Sequence, residues 1–124
     1  MVIIRAVGTI LLLAIFCWTP AKAEELVMFE QAGCHWCAVW HEEIGPIYPK
    51  TEEGQRFPLR RVDIHKQAPE DLRAISKGHF TPTFVLMKDG KEVGRIQGYP
   101  GEDFFWGLLG QMVQEALNRR DEAS

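Results

Sequence analysis

Cys34 and Cys37 are the residues of this 124-residue chain best suited to chemistry. The thiolate is the nucleophile of disulfide exchange, and two thiols three positions apart can close on each other. At this spacing the first sulfur faces solvent while the second lies one helical turn inward. Cys34 is then the thiol that attacks a partner's disulfide, and Cys37 the thiol that resolves the mixed disulfide. His35 stands beside the nucleophile. When protonated it would favour the thiolate and make the pair a stronger oxidant. Trp36 lies between two redox cysteines at a helix start, where it is expected to be exposed and suited to docking a partner peptide.

Other chemistries of the same residues fit less well. A structural zinc would need two more ligands, and His35, His41, His65 and His79 offer no pair at the usual spacing; His35 to His41 is one residue too long. Two thiolates with Met28 or Met87 would suit Cu(I), but both methionines sit in strand patterns that read as core. A purely structural Cys34–Cys37 disulfide closes a very small loop and gains little chain entropy. A non-catalytic binding module on the same fold is the remaining alternative, because fold does not fix function.

The elements that must position the pair follow from the hydrophobic pattern. Glu25 to Phe29 reads as a short buried strand. Gln31-Ala32-Gly33 then turns into a helix that begins at the cysteines and carries Trp40, Ile44 and Ile47. Gly45-Pro46 must kink or end that helix, because proline removes a hydrogen bond and clashes with the preceding turn. Pro58 to Ile64 reads as a second strand close to a sheet edge, with Arg60 and Arg61 solvated. Pro69 to Lys77 reads as a short helix, with acidic Glu70 and Asp71 in its first turn and Gly78 as its stop. Thr83 to Met87 is a strongly apolar strand, Asp89-Gly90 a two-residue hairpin turn, and Glu92 to Ile96 the returning strand. Tyr99-Pro100-Gly101 reads as a loop before the last helix. A helix from about Glu102 to Arg119 places Phe105, Leu108, Leu109, Met112, Val113, Ala116 and Leu117 on one face. Trp40 and Trp106 are expected in the core. The order is strand, helix, strand, helix, strand, strand, helix. It predicts an α/β fold, a mixed four-stranded sheet with helices on both faces.

The first 23 residues stand apart from this fold. Arg5 precedes an apolar run from Ala6 to Trp18; Thr19-Pro20 breaks it, and Ala21-Lys22-Ala23 offers a cleavage signal before Glu24. That layout is a secretory signal peptide, and the run is too short for the roughly 20 residues of a membrane span. Residues 1–23 are therefore expected to be removed, Cys17 with them, leaving a single domain over residues 24–124 with no membrane insertion. Arg5 and Lys22 leave with the signal and no acidic residue does. The mature domain thus has 12 basic against 17 acidic side chains, a net charge of −5. Such a domain has no basic stripe for nucleic acid. Export also places the cysteine pair where a disulfide can persist.

The chain resembles the thioredoxin superfamily in Leu26–Phe29, Gly33-Cys34-His35-Trp36-Cys37, Phe80-Thr81-Pro82-Thr83-Phe84-Val85, Asp89-Gly90-Lys91, Gly98 and the closing amphipathic helix. The resemblance covers essentially the whole of residues 24–124. It implies a thioredoxin-like fold and a thiol–disulfide oxidoreductase with no cofactor beyond the cysteine pair. It also implies a cis Thr81–Pro82 peptide beside that pair, where Thr81 and Pro82 shape the substrate groove. Glu-Gln-Ala-Gly-Cys before the motif and Pro-Ile-Tyr-Pro-Lys-Thr after it are similar to the small periplasmic thioredoxins, including those of bacterial sulfur-oxidation systems that keep a carrier-protein cysteine reduced. The expected partners are therefore a cysteine-containing periplasmic protein and a membrane thiol–disulfide electron donor. There is no helical insertion large enough for a substrate-binding lid and no added dimerisation domain, which argues against a broad-substrate oxidase or a dimeric isomerase, and a monomer is expected. Three departures stand out. His35-Trp36 replaces the Gly-Pro of ordinary thioredoxin. His35 is the first intervening residue, where oxidases and isomerases often carry His second. Met28 stands where thioredoxin has a buried Asp and cannot carry protons; Glu30, nearby in sequence, is a candidate relay of a proton to or from Cys37, with a plain surface glutamate as the alternative reading.

Overall fold

The computed structural model describes residues 24–122. The expected signal segment, Cys17 included, lies outside the described residues.

Leu26, Val27, Met28 and Phe29 are all buried because their strand, β1 (Glu25–Glu30), is paired on both sides. It runs parallel to β2 (Leu59–Asp63) and antiparallel to β3 (Thr83–Lys88), and β3 continues antiparallel into β4 (Lys91–Gln97). The sheet order is β2-β1-β3-β4. β2 is an edge strand, as its sequence predicted: only Val62 of its residues is buried. The hairpin turns at Asp89 (φ 53°) and Gly90 (φ 73°), two left-handed residues whose twist matches the flanking strands.

Alternation along the strands separates two cores. On one face Leu26, Met28, Phe84 and Leu86 meet α1 (His35–Glu43) and α3 (Glu102–Glu122). Trp40 is fully buried there, its ring 5.2 Å from Phe84 and 5.7 Å from Phe105. On the other face Val27, Phe29, Val62, Val85 and Met87 are covered by Leu72 and by half-buried Ile64 and Ile75. The mixed sheet with helical elements on both faces is the expected architecture.

Three local differences have physical causes. The helix expected over Pro69–Lys77 is a single 3-10 turn, Glu70–Leu72. A nine-residue segment with two apolar anchors is marginal as an α-helix. Its Asp71 is instead drawn outward to the Arg60 guanidinium, which donates to Oδ1 and Oδ2 at 2.9 and 2.7 Å. After α1 ends ahead of Gly45-Pro46, a 3-10 turn (Tyr48–Lys50) and a five-residue helix, α2 (Glu52–Arg56), carry the chain to β2. Thr51 caps α2 by accepting from the Gly54 N–H at 3.0 Å, and the Tyr48 hydroxyl closes the segment by donating to the Phe57 carbonyl at 2.6 Å. In α3 the core face is Phe105, Leu109, Met112 and Ala116. Leu108 is exposed, and Trp106 is half-buried, stacked on Tyr48. At the far end of β3 the buried Lys88 Nζ donates to the Ala116 carbonyl of α3 at 2.9 Å.

Candidate active site

Gly33 (φ 75°) turns the chain sharply from the end of β1 into α1, a conformation that a side chain would resist. Cys34 is therefore not inside the helix but at its N-cap, with extended backbone (φ −74°, ψ 108°). Its Sγ accepts the Cys37 N–H at 3.1 Å. The sulfur thus takes the place that a serine or aspartate oxygen fills at other helix starts, facing unpaired N–H groups and the positive end of the helix dipole. Both favour a thiolate once the pair is reduced. Cys34 and Cys37 form a disulfide with Cα atoms 5.3 Å apart. Cys34 is half-buried, whereas Cys37 is 4% exposed within the α1–α3 core.

His35 and Trp36 project from the first turn of α1 and are both exposed, their rings edge to face at 5.0 Å. The Thr81–Pro82 peptide is cis. Thr81 stands just ahead of β3, whose Thr83 pairs with Phe29 at the end of β1, so sheet register brings Thr81 and Pro82 to the end of the sheet where the cysteines begin. Gln31 ties the two loops together. Its Nε2 donates to Thr81 Oγ1 at 2.9 Å, its Oε1 meets His65 Nε2 at 2.7 Å, and its carbonyl accepts the Cys34 N–H at 3.3 Å. Phe80, before the cis bond, is exposed.

A cleft of about 620 Å³ opens beside the disulfide, and Glu30, His41, Arg61, Asp63 and Lys66 share it with both cysteines. Glu30 is half-buried at the end of β1. Arg61 of β2 forks onto it, Nε to Oε2 at 3.0 Å and Nη2 to Oε1, and His41 Nε2 lies 3.0 Å from Oε2. Burial pushes the Glu30 carboxyl up, but hydrogen bonds and charge from Arg61 and His41 outweigh it and hold the group below its ordinary range. Arg61, read from sequence as solvated, is exposed and yet engaged with Glu30. His41 entered the sequence reading only as a zinc candidate, and Gln31 only as part of a turn. Met28 and Met87 lie in the two cores on opposite faces of the sheet, away from one another.

A disulfide with one accessible sulfur at a helix N-terminus, a buried partner and a neighbouring cis-proline loop defines a thiol–disulfide oxidoreductase. Residues 19–112 match the family model described as thioredoxin-like domain, and the chain belongs to that family. It is similar to the periplasmic thioredoxin SoxS from Paracoccus pantotrophus in its reduced form, with 47% identity, 74% of this chain and 97% of that chain covered, and a TM-score of 0.67. The thioredoxin Mala s 13 of Malassezia sympodialis (22% identity, 74% and 78% covered, TM-score 0.54) and a malarial protein (20% identity, 73% and 98% covered, TM-score 0.54) share the fold. No curated protein matches the chain.

Proposed function

We propose that this chain is an exported, periplasmic thiol–disulfide reductant that keeps a cysteine of a partner protein reduced. The observation that supports the reading best is its 47% identity to a periplasmic thioredoxin over 97% of that protein's length. In this reading residues 1–23 direct export and are removed, and the domain works as a monomer.

Cys34 is the nucleophile. The reduced pair presents its thiolate at the N-cap, where it attacks a disulfide on the partner and forms a mixed disulfide. Cys37 resolves it, the partner leaves reduced, and the chain regains the Cys34–Cys37 bond. Thr81 offers its backbone, which lies outside the sheet ladder, to an extended partner segment, and Pro82 forms the floor of that groove. His35 and Trp36 flank it. Trp36 at 55% exposure and Phe80 at 65% give a partner apolar surface to cover. A membrane dithiol donor returns two electrons to the pair, since the compartment is otherwise kept oxidising.

The reduction potential tests the direction of flow. Equilibrated with glutathione buffers, the pair is expected near thioredoxin's value of about −270 mV. A value between about −180 and −120 mV would make the protein a disulfide oxidase or isomerase, in line with His35 beside the nucleophile, and would end the reductant reading.

A further inference from the structure

Resolution of the mixed disulfide requires the Cys37 thiol to lose a proton, and Cys37 is nearly closed off from bulk water. Met28, fully buried in the same core, cannot take it. The cleft beside the pair holds three groups able to accept a proton: Glu30 from β1, Asp63 from β2 and His41 from α1, with Arg61 and Lys66 as the cations facing them. Glu30 is committed on both oxygens, to Arg61 and to His41, and those bonds favour its ionised form. Asp63 is engaged in its own loop, Oδ1 accepting the His65 N–H at 2.9 Å.

His41 is placed differently. It lies four residues beyond Cys37 on α1, so the two side chains share one helix face, one turn apart. A carboxylate can only accept, so its contact with Glu30 Oε2 fixes Nε2 as the N–H and leaves the Nδ1 lone pair as the acceptor.

We infer that His41 is the base that takes the Cys37 proton during resolution, directly or across one water, with Glu30 as the residue that positions it. The inference rests on Cys37 being the resolving thiol. The Cys37 S–H proton passes to His41 Nδ1, and the thiolate attacks Cys34 Sγ. The Cys34–Cys37 bond forms, the bond to the partner sulfur breaks, and that sulfur leaves as a thiolate with the electron pair. The chain loses two electrons, the partner gains two, and the imidazolium returns its proton to solvent.

The test uses the full chain carrying Cys17→Ser, so that only the Cys34–Cys37 pair reports. The reduced protein is mixed with a symmetrical aromatic disulfide whose released thiolate is coloured. Attack by Cys34 gives one burst of colour and resolution by Cys37 a second. His41→Gln is expected to slow the second burst roughly 100-fold, the usual scale of general-base catalysis, while sparing the first. It should also abolish the inflection in the second burst's pH profile, and added imidazole should restore the rate of His41→Ala. An unchanged second burst in His41→Gln, or equal slowing of both bursts without imidazole rescue, would overturn the inference. Cys37→Ala separates the underlying assignment: it must lose the second burst altogether, and a second burst from that variant would show that another group resolves.

Discussion

Glu30 ends β1 with both carboxylate oxygens held, and its lowered pKa has a consequence for stability. The folded state binds the Glu30 proton less readily than the unfolded chain does, so the ionised group adds stability above its unfolded value. That contribution fades as the pH falls through the lower folded value, beginning near the ordinary glutamate value of 4.5. Glu30→Gln is expected to melt below wild type near neutral pH, with the gap closing as the pH falls below the ordinary glutamate value of 4.5. Calorimetry of both oxidised proteins across that range checks it, and a gap that stays constant with pH would refute the linkage. The same residue marks what was legible at this scale. Cys34, Cys37, Thr81 and Pro82 can be read from short contiguous motifs because the chemistry and backbone geometry they need are local. His41 and Arg61 cannot, because their roles exist only where α1 and β2 converge on the end of β1. The one signal in the sequence was the i, i+4 spacing of Cys37 and His41, which on its own does not distinguish a cleft from a solvated face.

Elements with strong periodicity were the readable ones. β1, β3 and α3 each bury an apolar pattern, the Asp89-Gly90 hairpin carries its own turn signal, and each forms within a few residues of its predicted bounds. α2 was missed because five residues hold too little pattern, and the Thr51 cap that starts it precedes no apolar run. What defines α2 is a close approach. Gly54 is buried so near the Tyr48 carbonyl that an added Cβ would overlap the oxygen, and backbone cannot yield as a flexible side chain would. Gly54→Ala is therefore expected to destabilise the fold by about 2 kcal/mol, within the usual cost of overpacking a filled site. Urea unfolding of the oxidised protein measures it; a loss below about 0.5 kcal/mol would mean that the turn adjusts freely. The segment after β2 failed for the opposite reason. Its start and stop residues read as a helix, but Leu72 and Ile75 alone pay too little of the ordering entropy for more than one turn.

At the scale of the molecule, the two cores divide the work. The α1–α3 side seats Cys37 within a cluster of aromatic rings, and the opposite side braces the sheet that carries Glu30 and leads out of the Thr81–Pro82 loop. Export belongs to this scale as well. In Gram-negative cells the full-length gene product is expected in the periplasmic fraction with Glu24 as its first residue, as intact-mass spectrometry would read. Retention in the cytoplasm, or an intact Met1, would sink the exported reading.

Lys88 gives the molecule a polarity of handling. β3 runs from Thr83, next to the cis bond, to Lys88, five residues on, a separation of roughly 17 Å for an extended strand. Because Lys88 pins α3 at Ala116, the last helix is tethered at the end of the sheet remote from Cys34. A dye, an affinity handle or a surface linker joined at an exposed residue of α3 beside Ala116, such as Glu115, would thus hang from the back of the molecule. The protein could be immobilised through that stretch of α3 with its disulfide turned outward, free to meet its partner.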